Sequence, residues 1–144
     1  MRVTEREGKA TQTSHDLQAV LGRLVRRLRA ENSLPLRHAI VLGLLERDGP
    51  LGTSELAQRE RMRPQSMTET VKELEANGLV GRSPDPSDGR RVRISLTAAG
   101  REKVRRNRAR REEWLARAIT QQLTTREEAA LTRSVELLRR IADS

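Results

Sequence analysis

At 144 residues the chain is the size of one ordinary domain, and its formal charge of +9, carried by 29 basic residues of which all but three are arginine, points to a polyanionic partner, nucleic acid before an acidic membrane surface. The lack of cysteine excludes disulfides, thiolate metal sites and thiol redox switches. With no Phe, no Tyr and one Trp, it cannot build the ring platform that stacks single-stranded bases, which a duplex binder does not need.

Residues 1–12 are polar and aperiodic and read as a disordered tail. No stretch reaches the roughly 18 apolar residues of a membrane span, and MRVTEREGKATQ has no signal-peptide core, so the expected location is the cytoplasm. Thr13 and Asp16 have the spacing of a capping box ahead of a helix that carries Leu17, Val20, Leu21, Leu24 and Leu28 on one stripe. Asn32-Ser33-Leu34-Pro35 ends it. A second helix over 36–47 is apolar on two sides, Leu36, Ile40 and Leu44 on one and His38, Leu42 and Leu45 on the other, which places it between two layers. Asp48-Gly49-Pro50 breaks it.

Two short helices follow. Thr53 can cap the first, SELAQRE, and Pro64 suits the first position of the second, PQSMTETVKELEAN, which Asn77-Gly78 stops. In that second helix Met67, Val71 and Leu74 share a packing face, while Gln65, Glu69, Lys72 and Ala76 point away. Residues 79–83 and 90–96 then read as the strands of a hairpin around PDPSDG, with Val92, Ile94 and Leu96 turned inward. Thr97 can cap a long helix from about 98 to 120, and Thr124 with Glu127 repeats the capping-box spacing before a last helix bearing Leu131, Val135, Leu138 and Ile141.

The expected fold is therefore mainly α with a small β-wing: a winged helix-turn-helix lobe for DNA over 35–97, within one domain over 13–144. A helix about 12 Å across fits the major groove of B-DNA, and the second helix of a helix-turn-helix enters it by its N-terminal half. Here that half offers hydrogen-bonding side chains. Arg90 at the tip of the hairpin can reach the adjacent minor groove, where negative potential favours a guanidinium. Asp88 can hold the turn or brace Arg90 through a charge-assisted hydrogen bond.

The run ELAQRERMRPQSMTETVKELEANGLVGRSPDPSDGRRVRISLTAAG resembles the core of the MarR family of winged helix-turn-helix regulators. Its distinctive pieces are Leu74-Glu75 with Gly78-Leu79, and Asp88-x-Arg90 followed by Leu96-Thr97-x-x-Gly100. The resemblance implies a homodimer knitted by helices over 13–34 and 98–144, each subunit presenting one recognition helix and one wing to a palindromic double-stranded operator. The residues placed at that surface are Arg63, Gln65, Ser66, Thr68, Glu69 and Lys72 on the recognition helix and Asp88, Arg90, Arg91 and Arg93 on the wing, with Thr53 and Arg61 against the DNA backbone. Where members often carry a basic residue this chain has Glu69, which can accept from a cytosine amino group or pair with an arginine.

The resemblance further implies a small aromatic or anionic effector as a partner, with His38 and Trp114 the candidate residues of its pocket. The plainer readings are a hydrogen-bonded core histidine and a dimer-core tryptophan. The run REKVRRNRARREE reads as a solvated connecting rod. No metal spacing, phosphate-binding glycine loop or nucleophile–base pairing is present, so neither a cofactor nor an enzyme is expected. The competing function is an architectural protein that binds DNA with little sequence choice.

Overall fold

In the computed structural model, which describes residues 2–144, six helices and one hairpin follow in the order α1 (Arg2–Ala30), α2 (Leu36–Asp48), α3 (Thr53–Arg59), α4 (Pro64–Ala76), β1 (Val80–Pro84), β2 (Val92–Leu96), α5 (Ala98–Gln122) and α6 (Thr125–Ala142). Local chemistry sets many of these limits. Pro64 opens α4 at a position that has no intrahelical use for an N–H, and Gly78, at φ 70°, takes the left-handed turn that ends it. Thr97 caps α5 by accepting from the Gly100 amide at 3.0 Å. Thr124 and Glu127 form the reciprocal capping box of α6, Thr124 N–H donating to Glu127 Oε2 at 2.8 Å and Glu127 N–H to Thr124 Oγ1 at 3.3 Å. Such a cap contributes about 1 kcal/mol. The Thr124 N–H and, second, the Thr124 hydroxyl, which donates to Glu127 Oε2 at 2.9 Å, hold the Glu127 carboxyl below the usual carboxylate range.

The core lies in the middle of the chain. Leu42 of α2, Leu56 of α3, Met67, Val71 and Leu74 of α4 and Ile94 of β2 are fully buried together. α2 is the central element, packed against α4 and β2 and also against α5, as its two apolar sides require. Truncating one of these leucines to alanine costs roughly 2–5 kcal/mol.

Three local expectations are corrected. A disordered tail is expected over 1–12; Met1 lies outside the described residues, but 2–12 are helical, α1 running from Arg2, and Thr13 donates its hydroxyl to the Lys9 carbonyl rather than capping a helix start. Residues 4–16 are all exposed, so this extension is held by local pairs such as Lys9–Glu5 at 3.2 Å. In α3 the capping position belongs to Gly52, whose N–H donates to Glu55 Oε1 at 3.2 Å, and Thr53 is the first helical residue. In β2 only Ile94 and Leu96 turn into the core. Val92 is 47 % exposed because its partner across the hairpin is Pro84, at the outer end where nothing lies beneath it. An unanticipated bridge, Leu51 with Ile94, exchanges two backbone bonds at 2.8 and 3.1 Å and roots the wing in the body.

α1 and α5 form the arm of the molecule. Arg27 lies 4.7 Å above the Trp114 ring, Arg111 donates to Asn32 Oδ1 at 2.7 Å, and buried Asn107 accepts from the Ser33 hydroxyl at 3.0 Å. No residue of α6 is buried.

Candidate nucleic-acid interface

The packing of α4 decides which of its side chains face outward. With Met67, Val71 and Leu74 fixed in the core, Gln65, Ser66, Glu69 and Lys72 fall on the exposed face. Glu69 and Lys72 make no ion pair among the described residues, so both keep their full hydrogen-bonding capacity for a partner. Thr68 is half-buried and donates its hydroxyl to the Pro64 carbonyl at 2.9 Å, which leaves it only an acceptor to offer. At the start of α4, exposed Arg63 occupies the cap position without a side-chain cap bond. No acidic residue sits in the first turn, so the positive end of the helix is uncompensated. Thr53, half-buried, is the first residue of α3, and exposed Arg61 lies in the turn between α3 and α4.

The wing is stiffened by aspartates, one of them in an unexpected role. Asp85 accepts from the Ser87 N–H at 2.8 Å, the Ser87 hydroxyl at 2.7 Å and Arg93 Nε at 2.9 Å. The Ser87 bonds first, then Arg93, lower its carboxyl to about 2. Arg93 thereby braces the wing through its Nε. Asp88 accepts from the Arg90 backbone N–H at 3.1 Å and lies 3.6 Å from Arg91 Nε. It fixes the turn, as the plainer reading had it, and does not touch the Arg90 guanidinium. Arg90 is exposed and unpaired among the described residues.

Because the Asp85 carboxyl is depressed from 3.8 to about 2, the brace is complete above the unfolded-state value and is lost as pH falls through about 2. A carboxyl titration by NMR is expected to give a midpoint near 2, and a midpoint at the ordinary aspartate value would show that the brace is absent in solution.

Behind the interface, α4 is tied to α2 by a group the sequence did not single out. Glu73 accepts from His38 Nε2 at 2.6 Å and from Arg37 Nη2 at 2.8 and 2.7 Å, and these bonds, His38 first, lower its carboxyl. The only hint was a carboxylate next to a core leucine. His38 is thus the hydrogen-bonded core histidine, 5 % exposed, with Nδ1 buried and unpartnered.

A cleft of about 730 Å³ opens between α2 and α5, lined by Ile40 and Asn107 and by the arginines Arg29, Arg47, Arg108 and Arg111. Arg108 is held by Glu46 across it at 2.6 Å. Neither His38 nor Trp114 lines this cleft: the first is turned to Glu73, and the second lies about one turn beyond Arg111 beneath Arg27. Among the described residues no helix is long and apolar enough to cross a membrane, and no three His, Cys, Asp or Glu side chains are placed to hold a metal ion.

Comparison with known proteins matches residues 34–92 to the family model described as the MarR family. An HTH-type transcriptional regulator of Mycobacterium bovis is 38% identical over 132 residues, 89% of this chain and 86% of that protein. The crystal structure of a transcriptional regulator from Pseudomonas aeruginosa superposes with a TM-score of 0.83 at 35% identity, covering 95% of this chain and 97% of that one. A variant of the S. aureus protein MepR, solved bound to an oligodeoxyribonucleotide, shares the fold at a TM-score of 0.67 and 20% identity over 87% of this chain and 96% of its own.

Proposed function

The chain belongs to the MarR family, and from that membership we propose that it acts as a homodimeric repressor reading a palindromic operator in double-stranded DNA. It is a DNA-binding transcription regulator and not an enzyme. The observation that carries the reading is the exposed, unpaired polar face of α4 standing beside an unpaired Arg90 on a braced wing. In this reading Gln65, Ser66, Glu69 and Lys72 meet base edges in the major groove, Thr68 accepts, Arg63 meets phosphate, and Arg90 enters the neighbouring minor groove. The MepR complex supports DNA as the partner, since a chain of the same fold is bound there to an oligodeoxyribonucleotide.

The second copy of the chain answers the apolar surface of the arm. Val20, Leu21 and Val25 of α1 and Leu131, Val135, Leu137 and Ile141 of α6 are 37–63 % exposed in the single chain, large apolar side chains on two helices that a partner copy would cover. Sedimentation at micromolar concentration is expected to give a dimer, whose two recognition helices meet half-sites about one helical turn apart.

Titration against operator and random duplex at physiological salt is expected to show at least ~10³-fold preference. Equal affinities would leave the architectural, low-specificity reading in its place. The cleft supports effector control: four arginines face a void at the junction of arm and DNA lobe, and an anion there competes with Glu46 for Arg108. A small aromatic carboxylate is the ligand class that fits. It releases DNA only by binding the mis-spaced dimer more tightly than the operator-bound one. Arg111→Gln is expected to abolish the effector response while leaving operator affinity in its absence unchanged, as measured by fluorescence anisotropy.

A further inference from the structure

Three dipeptides in the chain place a glycine after aspartate or asparagine: Asp48-Gly49, Asn77-Gly78 and Asp88-Gly89. At such a pair the glycine nitrogen can attack the side-chain carbonyl carbon before it and close a succinimide, since glycine has no side chain to hinder the approach. Asparagine reacts more readily than aspartate, because a neutral amide accepts the attack that a carboxylate anion resists. By sequence alone Asn77-Gly78 ranks first.

The fold reverses that ranking. Gly49 and Gly78 are helix stops, at φ 77° and 70°, and their N–H groups donate to the Leu45 carbonyl at 3.0 Å and the Glu75 carbonyl at 2.9 Å. The Gly78 carbonyl is pinned as well, accepting from the Thr97 hydroxyl at 2.6 Å, and the Asp48 carboxylate is held by Arg47 and Arg59. A nitrogen whose N–H is committed to a helix carbonyl neither sheds that proton nor turns toward the side chain before it.

Gly89 differs on each point. It is exposed at the tip of the wing, its φ is not positive, and its N–H has no acceptor among the described residues. A Cβ at this position meets no atom within 4 Å, so neither conformation nor crowding calls for a glycine. Asp88 Oδ1 accepts from the Arg90 N–H at 3.1 Å, and that bond folds the carboxyl back over the intervening Gly89 peptide, toward the attacking nitrogen. Arg91 Nε, 3.6 Å from Asp88 Oδ2, places a cation where the negative charge of the tetrahedral adduct develops.

We propose that Asp88-Gly89 is a site of spontaneous isoaspartate formation, a covalent modification of the wing tip that ends its contact with DNA. The Gly89 nitrogen bonds to Cγ of the Asp88 carboxylic acid, and the acid hydroxyl leaves as water with the proton the nitrogen gives up. Water then opens the ring at either carbonyl. Opening at Cγ restores aspartate. Opening at the Asp88 backbone carbonyl carbon leaves the chain running through the side chain, with the former backbone carbonyl as a free carboxylate. One water leaves and one returns, so the step needs no oxidant, reductant or cofactor. The product is longer by a methylene, and the carbonyl that accepted the Arg91 N–H at 3.0 Å has left the backbone. Arg90, next in the chain after Gly89, thereby loses the turn that aims it. This consequence rests on the reading of the wing as a DNA contact; the chemistry does not.

The test holds the unaltered full chain in heavy-oxygen water at physiological temperature and pH for several weeks, beside Gly89→Ala and a sample unfolded in guanidinium chloride. Peptide mapping with electron-transfer fragmentation locates isoaspartate and incorporated label. The folded chain is expected to react at Asp88 and to leave Asp48 and Asn77 intact, while the unfolded chain reacts first at Asn77. Gly89→Ala is expected to fold and bind operator as the unaltered chain does and to lose the modification. The modified fraction, separated by chromatography, is expected to bind operator as weakly as Arg90→Ala.

A folded chain without isoaspartate at 88, or one that reacts at Asn77 as fast as the unfolded sample, overturns the site. A modified fraction with unaltered operator affinity, while Arg90→Ala loses affinity, overturns the consequence and leaves the DNA reading standing. Unaltered binding by both overturns the assignment of the wing to DNA and the consequence with it.

Discussion

Gly100→Ala is expected to cost on the order of 3 kcal/mol or more of folding stability and to lower the thermal midpoint by roughly 10 °C. A Cβ at Gly100 would lie 2.0 Å from the Leu79 carbonyl oxygen, 3.0 Å from its carbon and 3.3 Å from Leu96 Cδ2. That carbonyl cannot yield alone, since it accepts from the Thr97 N–H at 3.1 Å. The Thr97 hydroxyl in turn donates to the Gly78 carbonyl at 2.6 Å and accepts from the Gly100 amide. The end of α4, the root of the wing and the first turn of α5 thus meet backbone to backbone at one point. Relief requires α5 to withdraw, which uncovers Val104, Leu79 and Leu96 together. Gly43→Ala is the control: no atom lies within 4 Å of its Cβ position, so in the middle of α2 it is expected to be neutral or to gain up to about 1 kcal/mol. Urea unfolding of the two variants checks both expectations, and equal midpoints would refute the close approach.

Arg90→Ala is expected to lower operator affinity by about two orders of magnitude with no change in the unfolding midpoint. Its guanidinium has no partner among the described residues, so folding loses nothing when it goes. Its backbone amide is held by Asp88, and Asp85 braces the strand behind it through Arg93, so little freedom is surrendered on binding. A charged hydrogen bond of this kind contributes about 1.5–3 kcal/mol, and a dimer makes it twice. Arg93→Ala is the informative contrast, since it removes a brace and not a contact: a smaller loss of affinity is expected, with faster amide exchange at Ser87. If Arg93→Ala instead binds as poorly as Arg90→Ala with the wing still rigid, Arg93 is itself a contact.

The lobe at the centre of the chain was legible because its signals are local. Pro64, Asn77-Gly78, Thr97 and the Thr124–Glu127 pair each act within four residues, and the Met67, Val71, Leu74 period names the face of α4 that packs. What escaped the sequence depends on partners far along the chain. Glu73 meets Arg37 and His38 across 36 and 35 residues, and Arg111 meets Asn32 across 79. His38 and Trp114 are both rare residue types here, His38 on a helix apolar on two sides, which is what makes them candidates for a pocket. Which way a rare residue turns is set by neighbours from other helices. The start of α1 escaped for the opposite reason. Residues 4–16 are exposed, so no packing pattern marks them, and helix-forming side chains with local pairs such as Lys9–Glu5 carry them. Gly100 was visible as part of a motif, but the 2.0 Å approach that requires a glycine there was not.

Trp114 is the only tryptophan in a chain without tyrosine, and it lies in the arm with the Arg27 guanidinium over its ring. The protein therefore carries a single intrinsic fluorophore, sited away from the surface offered to DNA. Emission in a stopped-flow mixing experiment therefore reports the α1–α5 junction of each copy. A signal change on adding duplex, at a protein concentration that holds the oligomeric state constant, is the expected mark of a rearrangement in the arm.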